Sequence, residues 1–442
     1  MPVKQQQRIA ASADEIVQAV LNSNENSCLI DGCSTKQHEF LVAGIKPVEI
    51  IQINEPDAEV SLQNFDKKLS NDELAGFFTI SYDFGLKLER IVARPKEFET
   101  FNEPDIFLAI FDALIIHNYK TQETFLVGNK QKFGEIVHLI EEKKAKSSHR
   151  RLRNVRICSD FKQAEYELAV EQVKEYIRKG ETYQTNLTRQ ILIESDEPLS
   201  PEFIFQNIRK MHPVPFATFL RRVEDTVVSA SPELFFRLQD DRITSSPIKG
   251  TRPRGRSPLE DDKLREELFN SEKDFSENVM IVDLVRNDFG KICKFGSIQV
   301  EKLYEIEEYP TLFHAVSTVS GTLRPGTTIS DCIKAIFPCG SITGAPKIRT
   351  MQIIDLLEKS ARGLSMGAIG YYIPHPTVGS RILGSQRILN CSVAIRTIVV
   401  RRNRAIFKVG GGIVIDSIPE LEYEETETKS KAILNSVLCL RN

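Results

Sequence analysis

Two groups of acids lie where helical periodicity would bury them. Asp274 and Glu277 are three residues apart, on the stripe continued by Ile281, Leu284 and Val285. Glu422, Glu425 and Lys429 share a second stripe with Ile433, Val437 and Leu440. A carboxylate on the extension of an apolar face points toward the interior, where it is costly unless paired or metal-bound. Two acid pairs from two helices can form an oxygen cage for Mg²⁺, a hard cation that keeps waters and shares its shell with a substrate anion. The same spacing fits a solvated face with Glu/Lys pairs such as Glu425 and Lys429, and spacing alone favours that second reading.

Two glycine-bearing turns and a lone imidazole add to these acids. Gly-Ser-Ile-Thr-Gly-Ala-Pro-Lys (Gly340 to Lys347) reads as an anion loop opening a helix, with Pro346 near its first turn. It does not fit GxxxxGK[ST], so it is not a P-loop. Val-Gly-Gly-Gly-Ile-Val (Val409 to Val414) sits between two strand-like runs and implies a bulge, a tight corner or a close backbone approach to a ligand. His314, in Leu-Phe-His-Ala-Val-Ser, has the apolar setting of a satisfied core histidine.

Periodicity and punctuation predict the elements that position these residues. Glu141 to Asn154 is polar and basic, with no apolar period, and reads as an exposed connection. It separates an N-terminal region, 1–150, from a catalytic domain, 155–442. Phe78 to Tyr82 and Phe107 to Ile116 predict strands before it, mixed with helical stretches near Ala13 to Leu21 and Phe133 to Glu142. After it, Ser159 or Asp160 is expected to cap a helix whose face runs Tyr166, Val170, Val173, Ile177 and ends at Gly180. Strands are expected over Pro215 to Leu220, Thr226 to Ser229, Phe235 to Leu238, Arg242 to Ser245, Leu389 to Val400 and Ala405 to Val409. One long helix is expected from about Asp261 to Asp288 and a final one over Pro419 to Leu440. Strands outweigh βαβ alternation, which predicts an α+β fold with large antiparallel sheets flanked by helices.

Bulk properties exclude several classes. The 442 residues are 41% hydrophobic and 27% charged, ordinary for a globular chain. A formal charge of −3 without a polybasic tail leaves no footprint for nucleic acid. No signal-peptide core and no run of 18 apolar residues appear, so no membrane partner is expected. The eight cysteines are scattered without a CxxC, which suits core thiols in a reducing cytoplasm. A four-cysteine zinc site does not fit their spacing, and His314 with Cys332 has no second pair.

Several motifs together resemble one family. Ala-Ser-Pro-Glu-Leu-Phe (Ala230 to Phe235) and Ser-Pro-Ile-Lys-Gly-Thr-Arg-Pro-Arg-Gly (Ser246 to Gly255) resemble the catalytic centre of the chorismate-utilising enzymes. Lys-Asp-Phe-Ser-Glu-Asn (Lys273 to Asn278) and Glu-Tyr-Glu-Glu-Thr-x-x-Lys (Glu422 to Lys429) resemble that family's two magnesium helices, and Gly340 to Lys347 resembles a segment bordering its substrate pocket. The resemblance runs from about Asp160 to the C terminus; residues 1–150 are only loosely similar to anthranilate synthase and are expected to interleave with the main fold.

By this resemblance Glu277 and Glu425 would bind Mg²⁺ directly, and Asp274 and Glu422 through waters. Glu233 would be the general acid and Lys249 a covalent nucleophile, with Arg252 and Arg254 near it in sequence. His314, Gln184, Ser341 and Tyr371 would line the pocket. Arg396, Lys429 and the backbone at Gly410 and Gly412 would meet carboxylates, a geometry that suits an Arg fork. Related isochorismate synthases carry Lys in place of Gln184; an amide cannot take a proton at neutral pH, so water addition is not expected.

Most members have Ala where Lys249 stands, and Lys there resembles the aminodeoxychorismate branch. The implied activity is that of an aminodeoxychorismate synthase component I, which turns chorismate and ammonia into 4-amino-4-deoxychorismate for p-aminobenzoate and folate synthesis. Anthranilate synthase component I is the nearest rival, and a non-catalytic chorismate- or tryptophan-binding module is the rival from another class. The sequence has no nucleophile-elbow cysteine with a following His and Glu, so a separate glutamine amidotransferase subunit is expected to supply the ammonia.

Overall fold

The strand sequences alternate between two buried faces, and the chain uses both. Phe77 and Phe78 are neighbours on the Ala75–Ile80 strand, yet they enter different cores. Phe77 packs edge-on against Phe111, with ring centroids 5.5 Å apart, between two sheets. Phe78 packs at 5.4 Å against Phe65 of the Ala58–Leu69 helix outside them. Repeated along the strands, this alternation builds four layers: helices, sheet, sheet, helices.

The computed structural model describes residues 4–438 except 24, 34, 36–37, 71–73, 143–153, 310–311, 375–381 and 383–386. The expected connection Glu141 to Asn154 falls almost wholly outside the described residues. The first sheet has twelve strands. From one edge they run Lys4–Ile9, Glu123–Asn129, Ala113–Asn118, Phe40–Ile45, Ser27–Asp31, Phe216–Arg221, Thr226–Ser231, Thr397–Arg401, Arg404–Ile413, Gln184–Glu194 and Gly344–Ala345, and Arg156–Ser159 also pairs with the Gln184 strand. The second sheet has ten. They run Ile248–Pro253, Leu312–Thr322, Arg242–Ser246, Leu234–Gln239, Ile388–Val393, Ala368–Ile373, Ala75–Ile80, Ile106–Phe111 and Glu49–Ile53, with Gln299–Glu308 also pairing to the Leu312 strand. The strand pairs are antiparallel, for example Ala217 opposite Asp31 and Tyr371 opposite Phe77. The fold is α+β with large antiparallel sheets flanked by helices, as strand-rich sequence without βαβ alternation predicts.

Four expected elements differ. The run Phe107 to Ile116 is two strands, Ile106–Phe111 on the second sheet and Ala113–Asn118 on the first. The long helix from Asp261 to Asp288 is two helices, Pro258–Phe269 and Glu272–Gly290, because Ser271 accepts the Asp274 N–H at 3.3 Å and starts a new helix as its N-cap. The run Leu389 to Val400 is two strands on different sheets, parted at Arg396, whose φ is +49°. Asp160 does not cap a helix; its carboxylate accepts the Gln190 N–H at 2.7 Å, and the helix starts at Gln163. Among the described residues no helix is long and apolar enough to cross a membrane. The final helix is described over Pro419–Leu438, so Leu440 lies outside the described residues.

Candidate active site

Between Thr226–Ser231 and Leu234–Gln239 the chain crosses from one sheet to the other, and Glu233 stands at the crossing. The Val393 N–H donates to its carbonyl at 3.1 Å, and its own N–H donates to Ser231 Oγ at 3.3 Å. The Glu233 carboxyl, 4% exposed, accepts the Ser341 hydroxyl at 2.6 Å. Burial pushes its pKa up to about 7, against the pull of Ser341, Lys249, the Ile248 N–H and Arg396. Such a carboxyl is part protonated near neutrality and can hand a proton to a leaving group.

Lys249 projects from the Ile248–Pro253 strand toward the same place. Its Nζ lies 3.4 Å from the Ser341 carbonyl oxygen and 3.7 Å from Glu277 Oε2. Arg252 and Arg254 do not accompany it: they pair with Asp274 at 3.0 Å and Asp261 at 2.5 Å. Beyond a bulge between Ile248 and Thr251, Thr251 pairs opposite His314 and shares a 2.8 Å hydrogen bond with its Nδ1. Burial, followed by the charge of Arg396, lowers His314 to about 3, so its imidazole is neutral. Its Nε2 has no partner among the described residues. Arg396 is half-buried, and its guanidinium makes no hydrogen bond or ion pair among the described residues. Burial lowers its pKa, and the Glu233 charge opposes that. A desolvated cation without an anion is what an incoming carboxylate would satisfy.

Gln184 opens the Gln184–Glu194 strand, and its Nε2 donates to Glu277 Oε2 at 3.1 Å. The three glycines run opposite this strand in continuous register, Gly410 to Thr188 and Gly412 to Asn186, without a bulge. Crowding explains them. A Cβ on Gly412 would come within 2.1 Å of Gln184 Nε2, and one on Gly410 within 2.2 Å of the Leu187 carbonyl oxygen. A Cβ on Gly411 would stand 3.0 Å from Glu422 Oε2 and 3.5 Å from Glu425 Oε1.

Glu422 and Glu425 thus meet this glycine strand at Gly411, and Glu277 is linked to it through the Gln184 amide at Gly412. Glu422 is buried, accepts the Ser417 hydroxyl at 2.7 Å, and has a pKa raised by burial and by Glu425. Burial also raises Glu425, but Lys429 at 2.6 Å, Lys273 and Lys249 bring it below the usual range. Lys429 also donates to the Gly410 carbonyl at 2.9 Å. Among the described residues no three acids, histidines or cysteines close on a single point. The donor set nevertheless fits a hard divalent cation. The Glu422 and Glu425 oxygens crowd one glycine, Lys429 answers Glu425, and Lys249 and the Gln184 amide answer Glu277.

Tyr371 is not brought to this place. It is buried in the core between the sheets, where Phe77 is 6.1 Å away by ring centroids and the His38 Nε2 lies 3.2 Å from its hydroxyl. Its neighbour in sequence, Tyr372, faces the other core. Sequence reasoning missed Thr251, Cys339 and Lys273. A bulge between Ile248 and Thr251 breaks the alternation that would lead from Lys249 to Thr251. Cys339 Sγ lies 3.2 Å from Ser341 Oγ in a turn that spacing does not reveal. The segment Gly340 to Lys347 opens the Lys347–Leu357 helix with Pro346 at its N-cap, as expected, but it is a 3₁₀ turn, Gly340–Ile342, and a short strand that pairs Ala345 with Gln184 rather than a plain loop.

A family model described as chorismate binding enzyme matches residues 25–435. Anthranilate synthase component 1 of Aquifex aeolicus is 35% identical over 350 residues, which is 75% of this chain and 68% of that protein. Aminodeoxychorismate synthase component 1 of Bacillus subtilis is 33% identical over 368 residues, 80% of this chain and 75% of that one. The crystal structure of anthranilate synthase component I from Streptococcus pneumoniae matches with a TM-score of 0.74 at 25% identity, covering 90% of this chain and 93% of that chain. The family match starts well before Asp160 and takes in strands of both sheets. The chain belongs to the family of chorismate binding enzymes.

Proposed function

We propose that the chain is an aminodeoxychorismate synthase component I, which aminates chorismate at C4 with ammonia. The observation that carries this reading is Lys249, a primary amine set between Ser341 and Glu277 where the family motif mostly carries alanine. Glu233 gives its proton to the departing C4 hydroxyl, which leaves as water. Lys249 Nζ bonds to C2 as the ring double bonds shift, giving a covalent adduct. Ammonia then bonds to C4, the C2–Nζ bond breaks and Lys249 recovers its lone pair. The surplus proton on the new amine returns to the Glu233 carboxylate, so the sum is chorismate plus ammonia to 4-amino-4-deoxychorismate plus water. Arg396 and the Gly410 to Gly412 backbone receive substrate carboxylates. Mg²⁺, held by Glu277 and Glu425 with Asp274 and Glu422 behind waters, would neutralise and fix a ring carboxylate. Relatives bearing the name component 1 support a second component that supplies ammonia from glutamine.

The relatives divide between two products, so the product decides. Incubation with chorismate, Mg²⁺ and an ammonium salt at alkaline pH should give 4-amino-4-deoxychorismate by mass spectrometry. Anthranilate as the main product would assign the chain to the other branch. Without ammonia, intact-protein mass spectrometry should show chorismate less one water on Lys249. No adduct, together with Lys249→Ala retaining most of the activity, would remove the covalent role.

A further inference from the structure

Behind the proposed reacting groups lies a buried ion cluster that none of the steps above uses. The side chains of Arg362, Glu358 and Lys408 are 1–2% exposed. Arg362 grips Glu358 through Nη2 at 2.7 Å and Nε at 3.1 Å, and lies over the Tyr82 ring, 4.4 Å from its centroid. Its remaining donors go to backbone on two different elements: Nη1 to the Ile342 carbonyl at 2.9 Å and Nη2 to the Asn186 carbonyl at 2.6 Å. Glu358 fixes the same strand again by accepting the Thr188 N–H and hydroxyl, each at 2.8 Å.

The two carbonyls that Arg362 holds adjoin the site. Ile342 follows Ser341, whose hydroxyl meets Glu233. Asn186 is two residues beyond Gln184, on the same strand face, and the Gln184 amide meets Glu277. An ion pair kept only for stability would not need its cation forked between these two backbones, because buried pairs are often replaceable by apolar residues. A planar guanidinium can satisfy four acceptors in fixed directions; an ammonium cannot.

We propose that Arg362 is a positioning residue that bridges the two halves of the site. It locks the Ser341 turn to the Gln184 strand, so the hydroxyl on Glu233 and the amide on Glu277 stay in register. The inference rests on the proposed chemistry only for what those two contacts do.

Double-mutant cycles test it. Arg362→Lys keeps a cation for Glu358 but loses the fork. With ammonia as donor, kcat should fall by about 10- to 100-fold, the scale of a small misplacement at a reacting centre, while KM for chorismate changes by less than about threefold. The same change should cost far less in a Ser341→Ala background, and far less in a Gln184→Ala background, because the contact it positions is already gone. Additive losses in either background would overturn the bridge. If Arg362→Lys does not fold, Arg362→Met combined with Glu358→Gln removes the fork without leaving an unpaired buried carboxylate, and the same cycles apply. Failure of the wild-type chain to consume chorismate would sink the functional reading itself. Turnover with additive cycles would sink only the role of Arg362.

Discussion

Glu233 is buried enough to hold a proton, yet it sits among donors that would strip it. Its folded-state pKa of about 7 lies above the unfolded value of roughly 4.3. Folding therefore takes up a proton. The stability linked to this group is complete below the unfolded value and is lost as pH rises through about 7. Glu233→Gln cannot titrate, so it should gain in melting temperature relative to the parent between pH 5 and pH 8; an unchanged difference would refute the burial argument. If the protonated form is the working acid, kcat/KM for chorismate should fall above about pH 7 at fixed unprotonated ammonia. Ser341→Ala removes a donor that favours the carboxylate, so that limb should move to higher pH. At the acids, Glu277→Gln or Glu425→Gln takes a charged oxygen from a hard-cation site. Each should lose most activity at low Mg²⁺ while remaining folded by circular dichroism, and normal turnover of both would refute the ligand assignment. Residue types were legible in the sequence, but the facing of Tyr371 was not. Motif position fixes a residue along a strand, and only pairing with Phe77 shows that the tyrosine points between the sheets while Tyr372 points out.

Ser271 decides how the first acid helix begins. It ends the run that sequence reads as one long helix and restarts it just before Asp274 and Glu277. Ser271→Ala should cost about 1 kcal/mol in chemical denaturation, and it should raise the Mg²⁺ concentration for half-maximal activity because the first turn carries Asp274. The glycine strand is less forgiving. Gly412→Ala puts a methyl 2.1 Å from Gln184 Nε2, so it should displace that amide from Glu277 and lower kcat more than stability. Equal loss of both would count against a site-specific clash. The glycine run was legible as a place of close approach. What approaches was not, because Gln184 and Glu422 reach it from elements more than two hundred residues apart.

Across the molecule, the N-terminal strands are built into both sheets. Ser27–Asp31 pairs with Phe216–Arg221, and Ala75–Ile80 pairs with Ala368–Ile373. The strand-rich fold class was legible from short apolar runs and the lack of βαβ spacing. The pairing of distant strands was not, since local periodicity carries no information about partners. If ammonia comes from a second component, the purified chain should aminate chorismate with ammonium salt alone and use glutamine only when a glutaminase is added. Efficient use of glutamine by the single chain, followed by product mass spectrometry, would contradict that division of labour.

A ribosome meets these sheets in an awkward order. The free side of Ala75–Ile80 waits for Ala368–Ile373, roughly 290 residues later, or roughly 15 to 60 s at about 5–20 residues per second. Through that interval one strand edge has no permanent neighbour, and an open edge is a template for other chains. The nascent polypeptide is thus more exposed to aggregation than the finished enzyme, whose first ordered strands are sealed by some of the last ones made.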